Sequence, residues 1–253
     1  MRLIAVIPAR MNAQRLPGKP LADIGGRPMV VRVAEAVARA RGVDRVVVAT
    51  DHNRIASAVE DAGFAAVLTS DACRNGTERV AEAARSLDGE VFLDVQADEP
   101  LVDPAAISSL AMLMREGVGY GTLARPLREG EAERDSVVKV VLDGHGRALY
   151  FSRSLIPYPR TAGLVRPLAH LGLYGFSRDF LQTLAALPET ELERAEGLEQ
   201  LRALFHGHPL HVRIGDWSSP AVDTPEDLER VRALWAARQV GSDKGPSGDR
   251  RSA

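Results

Sequence analysis

The chain has 253 residues, of which 45% are hydrophobic and 26% charged, and its formal net charge is −2. This composition is typical of a soluble globular protein with one large α/β domain or two small ones, and it disfavours nucleic-acid binding, which usually needs a clearly basic face. A single cysteine excludes an intramolecular disulfide. No stretch approaches the roughly 20 apolar residues of a membrane span, and the early run LIAVIP is too short for a signal peptide. We therefore expect a cytoplasmic protein with neither membrane nor nucleic acid as a partner.

Strand and helix patterns alternate through the first half of the chain. Short β-branched runs predict buried strands, and apolar residues every three or four positions predict helices. The alternation is typical of a parallel sheet with helices on both faces. The predicted strands are 3–7, 45–50, 65–69 and 90–96, and the predicted helices are 28–41, 52–62, 76–87 (with Thr77 as a candidate N-cap) and 104–115.

The rhythm changes after residue 119, where strands follow one another without helices. We interpret this half as a lobe that covers the open end of the sheet and supplies a second binding site. Residues 239–253 lack large aliphatic side chains apart from Val240, so we expect a disordered tail there. The predicted strands are 120–124, 137–142, 148–151, 169–176 and 210–214, and the predicted helices are 178–186, 195–205 and 225–238.

A basic loop follows the first predicted strand. The segment IPARMNAQRLPGKPL, residues 7–21, carries Arg10, Arg15 and Lys19, and no acid precedes Asp23. In open α/β sheets, ligands bind outside the carboxyl ends of the strands. Arginine and lysine there suit a polyanion, for which a nucleoside triphosphate is the obvious candidate. The alternative is a solvated surface loop.

Two common nucleotide-binding motifs are absent from the sequence. The loop is not a Walker A motif, because Pro20 occupies the Ser/Thr position and the earlier glycine is missing. The pair Gly25-Gly26 does not form a G-x-G-x-x-G fingerprint. These absences argue against a P-loop kinase and a nicotinamide dehydrogenase.

Carboxylates suited to Mg²⁺ occur in two distant segments. Asp98 lies in VQADEP, just past the predicted strand 90–96, and Asp223 lies in VDTPEDL, ahead of a predicted helix. Magnesium is usually held by one or two carboxylates together with phosphate oxygens. The alternative is that both acids only cap turns or helices. Spacing does not show whether the two meet in space.

Further polar residues interrupt otherwise apolar segments. The loop NGTERVAE, residues 75–82, enters a helix whose free N–H groups suit an anion, with Arg79 nearby, although a plain capped helix fits equally well. His170 lies on an apolar strand, where a histidine is more often structural than functional. No His/Cys cluster has zinc spacing, and no G-x-S-x-G elbow occurs.

Five groups of segments, in chain order, resemble one family. They are IPAR…RLPGKPL, NGTER, VQADEP, ALYFSR with HLGLYGF, and LEQLR with VDTPEDL. Together they resemble the 3-deoxy-manno-octulosonate cytidylyltransferases, also called CMP-KDO synthetases, from Leu3 to Trp235. The resemblance implies that CTP and Mg²⁺ activate a 2-keto sugar acid for lipopolysaccharide synthesis, with release of pyrophosphate.

The resemblance also implies a fold, an assembly and a set of site residues. The implied fold is α/β with a mostly parallel sheet. It has a glycosyltransferase-A-like nucleotide-binding core and a smaller lobe for the acceptor and for dimerisation. Members of the family are commonly homodimers. One domain would span 1–238, with 1–118 mainly for CTP, 119–214 mainly for the acceptor, and 215–238 as a returning helix. The implied nucleotide-binding residues are Pro8, Ala9, Arg10, Arg15, Lys19, Gly76, Thr77, Arg79 and Gln96. The implied acceptor-binding residues are Gln96, Arg153, Arg160, His170, Tyr174, Glu199 and Gln200. The implied metal ligands are Asp98 and Asp223, and the implied catalytic residues are Lys19, Arg15 and Asp98.

The sequence departs from the family pattern at several positions. The usual VNVQGDEP is LDVQADEP here, so Ala97 replaces a glycine and Asp94 an amide. Ala13-Gln14 replaces a Ser-Thr pair, and Asn75 replaces a serine. Other acid acceptors therefore stay open, namely 8-amino-KDO, a nonulosonate or phosphonoformate. A sugar-1-phosphate nucleotidylyltransferase, whose usual loop is G-x-G-T-R-x-x-P, and a non-catalytic nucleotide-binding regulator are further alternatives.

Overall fold

A computed structural model describes residues 1–12, 16–161 and 163–243, with side chains described as far as 239. The first half has the predicted alternation, to which the structure adds a 3₁₀ turn and a small hairpin. Among the described residues, no helix is long and apolar enough to cross a membrane. The elements are β1 (Leu3–Ala9), the 3₁₀ turn (Lys19–Leu21), the hairpin β2 (Asp23–Ile24) and β3 (Arg27–Pro28), α1 (Met29–Ala38), β4 (Arg45–Thr50), α2 (Asn53–Asp61), β5 (Ala65–Leu68), α3 (Gly76–Ser86), β6 (Val91–Asp94) and α4 (Pro104–Arg115).

The second half also follows the prediction, with two corrections. The predicted helix 195–205 is two helices, because Gly197 adopts the left-handed conformation, with φ 63°, and ends the first of them. The last helix continues five residues past its predicted end, so residues 239–243 of the predicted tail are helical, and 244–253 lie outside the described residues. The elements are β7 (Tyr120–Pro126), β8 (Lys139–Leu142), β9 (Ala148–Ser152), β10 (Leu168–Ser177), α5 (Arg178–Ala186), α6 (Glu191–Glu196), α7 (Gln200–Phe205), β11 (His211–Ile214) and α8 (Pro225–Asp243).

One nine-stranded mixed sheet organises the described chain, with the order β11-β7-β10-β6-β1-β4-β5. Strands β6, β1, β4 and β5 are parallel to their neighbours within that group, whereas β10 runs antiparallel to β6 and β7. Three strands of the second half thus extend the main sheet, and the hairpin β8–β9 pairs beside β10. The predicted α/β fold class is confirmed, and the second half of the chain is continuous with the first half through the sheet.

Helices cover both faces of this sheet because its central strands are apolar on both sides. One face packs against α1 and α4, with side chains such as Leu93 and Leu110. The other face packs against α3 and α5, with Phe92 and Phe176 at its centre. The carboxyl ends of β1, β4 and β6 consequently meet at one open edge of the sheet.

A third apolar cluster fixes the start of α8 against this edge. It joins Ile24 of the hairpin and Leu101 of the loop after β6 to Val222 and Val231. The backbone N–H of Val222 donates to the carbonyl oxygen of Asp98 at 2.9 Å. Two segments that are far apart in sequence are therefore held side by side at the carboxyl end of β6.

Candidate functional site

Two adjoining cavities open at this edge. The smaller has a volume of about 440 Å³ and the larger about 810 Å³. They share four lining residues, namely Asn75, Gly76, Gln96 and Asp223. The predicted residues that line the smaller cavity are Pro8, Ala9, Arg10, Lys19, Gly76, Arg79, Gln96, Asp98 and Asp223. The predicted residues that line the larger cavity are Gly76, Thr77, Gln96, His170, Tyr174, Glu199, Gln200 and Asp223.

Lys19 joins the two predicted metal carboxylates. Its Nζ donates to Oδ2 of Asp98 at 2.7 Å, to Oδ1 of Asp223 at 3.3 Å and to the carbonyl oxygen of Val222 at 2.7 Å. The 3₁₀ turn starts at Lys19, after Gly18 in the left-handed conformation with φ 71°. Residues that are 79 and 204 positions apart from Lys19 thus meet around one ammonium group. Arg15 lies outside the described residues.

The donor set at Asp98 and Asp223 fits Mg²⁺. Carboxylate oxygens are hard ligands, and the two side chains are 27% and 55% exposed, so a metal and its water can reach them. Within the described ranges, no group of three or more His, Cys, Asp and Glu side chains is placed to hold a metal. A magnesium ion here would therefore take its remaining ligands from phosphate and water.

Arg79 is buried beneath the smaller cavity, at 2% exposure. Its guanidinium pairs with Oδ2 of Asp51 at 3.0 Å and donates to the hydroxyl of Thr69 at 2.6 Å. The other oxygen of Asp51 accepts from the backbone N–H of Met11 at 3.3 Å, in the basic loop. The pair therefore positions this loop. Asp51 was missed in the sequence, although an acid directly after a parallel strand is a usable signal.

The N-terminus of α3 lies between the two cavities. Asn75 caps the helix by accepting from the N–H of Glu78 at 2.8 Å, so the N-cap is Asn75 and the prediction of Thr77 is wrong. An added Cβ on Gly76 would lie 3.2 Å from the amide of Gln96 and 3.3 Å from Pro8. The glycine thus lets the helix start close to both cavity walls, where its free N–H groups suit an anion.

Several carboxyl groups lie together in the larger cavity. The amino-acid composition of the chain gives no indication of this cluster. Burial raises the pKa of Asp94 well above its usual value, and the carboxyls of Glu199, Glu99 and Asp98 raise it further. Burial likewise raises the pKa of Glu99 to about 8. Burial also raises the pKa of Glu199, whose side chain hydrogen-bonds Thr77. Asp94 and Glu99 were absent from the predicted site. Strand alternation was the available signal, since it places Asp94 on the same face as Gln96.

His170 and Tyr174 form the wall that β10 contributes. Nε2 of His170 lies 2.9 Å from the hydroxyl of Thr122, and that hydroxyl donates to the carbonyl oxygen of Leu173 at 2.7 Å. The hydroxyl therefore accepts from Nε2–H. Burial lowers the pKa of His170 to about 3, so the ring is neutral near pH 7. The remaining ring nitrogen, Nδ1, can then only accept a hydrogen bond, and the ring carries no positive charge.

Two predicted acceptor residues do not line either cavity of the described structure. Arg153 donates to the carbonyl oxygens of Glu196 at 2.6 Å, Asp135 at 2.9 Å and Gly197 at 3.4 Å. It thereby joins the segment after β9 to the end of α6. Arg160 is exposed in the loop between β9 and β10. Their acceptor-binding role stays a prediction.

Comparison with known proteins defines the class to which this fold and cleft belong. A family model described as Cytidylyltransferase matches residues 4–214, so the chain is a member of the cytidylyltransferase family. A 3-deoxy-manno-octulosonate cytidylyltransferase of Anaeromyxobacter sp. (strain Fw109-5) is 54% identical over 239 residues, which cover 93% of this chain and 98% of that protein. The protein of the same name from Myxococcus xanthus (strain DK1622) is 51% identical over 94% of this chain and 98% of that protein. Within the class, the chain belongs to the 3-deoxy-manno-octulosonate cytidylyltransferase family, which confirms the resemblance seen in the sequence.

Solved structures agree with this assignment. A CMP:2-keto-3-deoxy-manno-octonic acid synthetase complexed with CTP superposes with a TM-score of 0.90 at 41% identity, covering 94% of this chain and 100% of that one. A 4-diphosphocytidyl-2C-methyl-D-erythritol synthase from Anaerococcus prevotii superposes with a TM-score of 0.63 at 15% identity, covering 93% and 96%. The second likeness concerns the fold alone.

Proposed function

We propose that the chain transfers CMP from CTP to the anomeric hydroxyl of 3-deoxy-D-manno-octulosonate, with release of pyrophosphate. The observation that carries this proposal is the meeting of Lys19, Asp98 and Asp223 at the boundary of two cavities. The smaller cavity has the basic wall that a triphosphate needs, and the larger has the polar lining that a sugar acid needs. Relatives of the same name and the CTP-bound structure support the same assignment.

The chemistry is an in-line displacement at phosphorus. The acceptor's hydroxyl oxygen bonds to the α-phosphorus of CTP, the bond from that phosphorus to the bridging oxygen of the β-phosphate breaks, and the hydroxyl proton passes to water. Such reactions depend mainly on positioning and on stabilisation of charge. A magnesium ion on Asp98 and Asp223 would neutralise phosphate charge when bound.

Groups of this chain hold the triphosphate in place. Arg10 and Lys19 supply positive charge beside the phosphates, and the N-terminus of α3 supplies N–H donors. Lys19 faces the leaving pyrophosphate because its ammonium lies at the carboxylate pair. Gln96 lines both cavities and so can contact both substrates.

Three wider assignments belong to the same proposal. The product would serve lipopolysaccharide synthesis in the cytoplasm, where CTP is available. The protein would act as a homodimer, for which exposed apolar side chains offer a surface. Four of them occur between residues 149 and 165, namely Leu149, Tyr158, Leu164 and Val165, which are 57–84% exposed.

An acceptor panel tests the proposed function. Purified protein is incubated with CTP, Mg²⁺ and one acceptor at a time, and pyrophosphate release is measured. We expect rapid release with 3-deoxy-D-manno-octulosonate and much slower release with 8-amino-KDO, a nonulosonate, phosphonoformate or a sugar 1-phosphate. A preference for another acceptor would contradict the proposed substrate. Calorimetric CTP binding without release for any acceptor would instead indicate a regulator.

A further inference from the structure

Two buried side-chain polar atoms lack a hydrogen-bond partner in the part of the chain that the structure describes. They are Oδ2 of Asp94 and Nε2 of Gln200. Both residues line the larger cavity, and they are only 1% and 3% exposed. Buried polar atoms are nearly always paired, because an unpaired atom loses its hydration without replacement. The two atoms therefore indicate a ligand that completes their hydrogen bonds when it fills this cavity.

Asp94 lies among acids and phenols. Its Oδ1 accepts from Nε2 of Gln96 at 2.7 Å. No cation among the described residues lies within ion-pair distance of its carboxyl. The titratable groups that face it are three carboxyls and two phenols, namely Glu199 ahead of α7, Asp98 and Glu99 after β6, Tyr120 on β7 and Tyr174 on β10.

These surroundings determine the protonation state of Asp94. A charged carboxylate here would be stripped of water and repelled by the neighbouring acids, so the neutral form is favoured. Since Oδ1 already accepts from Gln96, the proton belongs on Oδ2. Both unpaired atoms, Oδ2–H of Asp94 and Nε2–H of Gln200, are then buried donors on residues that line one cavity. Two donors and no acceptor suit an oxygen-rich anion.

We propose that Asp94 binds the sugar-acid acceptor as a neutral carboxylic acid, by donating its Oδ2 proton to an oxygen of the acceptor beside the Nε2–H donor of Gln200. This inference rests on the proposed function and deepens it. It also explains why an acid can stand where the family motif has an amide, since a neutral carboxyl and an amide each have one donor group and one acceptor group. Enzymes are known to keep a buried carboxylic acid neutral for such donation.

Two substitutions separate donation from negative charge. Asp94→Leu removes the donor, so we expect the acceptor KM to rise roughly tenfold, the loss of one hydrogen bond to a charged group, and to rise more than the KM for CTP. Asp94→Asn keeps a donor group and the acceptor toward Gln96, so we expect it to recover most of the acceptor affinity that Asp94→Leu loses. An Asp94→Asn variant as impaired as Asp94→Leu would show an anionic role and overturn the proposal.

The pH profile supplies a second readout. The neutral acid is lost as pH rises through the pKa of Asp94, so the wild-type kcat/KM for the acceptor should fall on the alkaline side. The Asp94→Asn variant should lack that fall. Because Glu99 titrates in both proteins, only the difference between the two profiles reports Asp94. Identical profiles would contradict the proposal.

Infrared difference spectra test the protonation state without turnover. Subtracting the Asp94→Asn spectrum from that of the wild type should leave a C=O stretching band of a protonated carboxyl. A carboxylate band in its place would overturn the proposal even if Asp94→Leu failed to fold. A wild type inactive on the sugar acid would refute the proposed function, whereas an active wild type with an unchanged Asp94→Leu variant would refute only the role of Asp94.

Discussion

Among single residues, Lys19 is central to this cleft because its ammonium contacts both Asp98 and Asp223. Asp98 and Asp223 would repel one another if they were left alone at the end of β6, and Lys19 offsets that repulsion through hydrogen bonds to both. The Lys19 and Asp98 side chains are 15% and 27% exposed, so water still screens the pair. We therefore expect the pair to contribute less to folding stability than to placing charge where the proposed function puts the phosphates.

Substitutions at this centre should affect turnover far more than stability. We expect Asp98→Asn to lower kcat by a factor of about 10² or more. We expect Lys19→Ala to lower kcat/KM for CTP by about 10² to 10³. In both variants, charge stabilisation at the phosphates is lost. Pyrophosphate release and thermal melting measure the two effects. The control is Asp88→Asn, a 97% exposed acid that pairs only with Arg2 among the described contacts. Near-normal CTP kinetics in either site variant would contradict the assignment.

At the scale of elements, the start of α3 matters because it forms a wall common to both cavities. Its cap at Asn75 fixes the first turn, and Gly76 leaves space for Gln96. Gln96 lines both cavities and donates to Asp94, which lines the larger one, so the two cavities are joined through two side chains. A change at the first turn of this helix is therefore expected to reach both substrates.

Gly76→Val tests this connection. The new side chain would displace the Gln96 amide, which lies 3.2 Å from the position of an added Cβ. We expect kcat/KM to fall roughly tenfold or more for both CTP and the acceptor, since small displacements in an active site are costly. Gly144→Val is the matched control, because nothing lies within 4 Å of an added Cβ there. Equal kinetics for the two variants would show that this helix start does not position the substrates.

Considering the whole molecule, strands of one continuous sheet contribute to the walls of both cavities. Strand β10 lies antiparallel between β6 and β7, so the wall of the larger cavity that holds His170 and Tyr174 is hydrogen-bonded to the strand that carries Asp94. Relative motion of the two walls would break this ladder. The described core therefore supports a cleft that is largely preformed, and the exposed apolar residues on the segment 149–165 are the surface that we propose for contact with a second copy.

Substitution on that segment tests the homodimer. The wild type should sediment with twice the chain mass of 27.3 kDa. Leu164→Glu, at a side chain 77% exposed, should shift the mass toward that of one chain, because a buried unpaired charge destabilises an apolar interface. Met112→Glu is the control on α4, at 61% exposure. A monomeric wild type, or a dimer unaffected by Leu164→Glu, would contradict the proposed assembly or its surface.

Apolar periodicity was sufficient to predict the alternation of β1 to α4, because buried parallel strands and amphipathic helices have different apolar periods. The prediction used no information beyond the order of the residues. The sequence also determined the family, through the basic loop and the motifs around Asp98 and Asp223. It misplaced the α3 cap, since Asn75 and Thr77 are both good capping residues and only the backbone path decides between them. The sequence predicted one helix where the structure has α6 and α7, because a single glycine is a weak indication of a helix end.

Which residues meet in space depends on the three-dimensional packing of the chain. Lys19, Asp98 and Asp223 converge because the apolar cluster around Val222 holds the start of α8 against the loop after β6. Arg153 donates to backbone carbonyls and lines neither cavity, although its motif matches the family. Asp94 becomes a candidate binding residue only through burial among other acids. Local pattern specifies elements, whereas charge, burial and contact depend on residues brought together from distant parts of the chain.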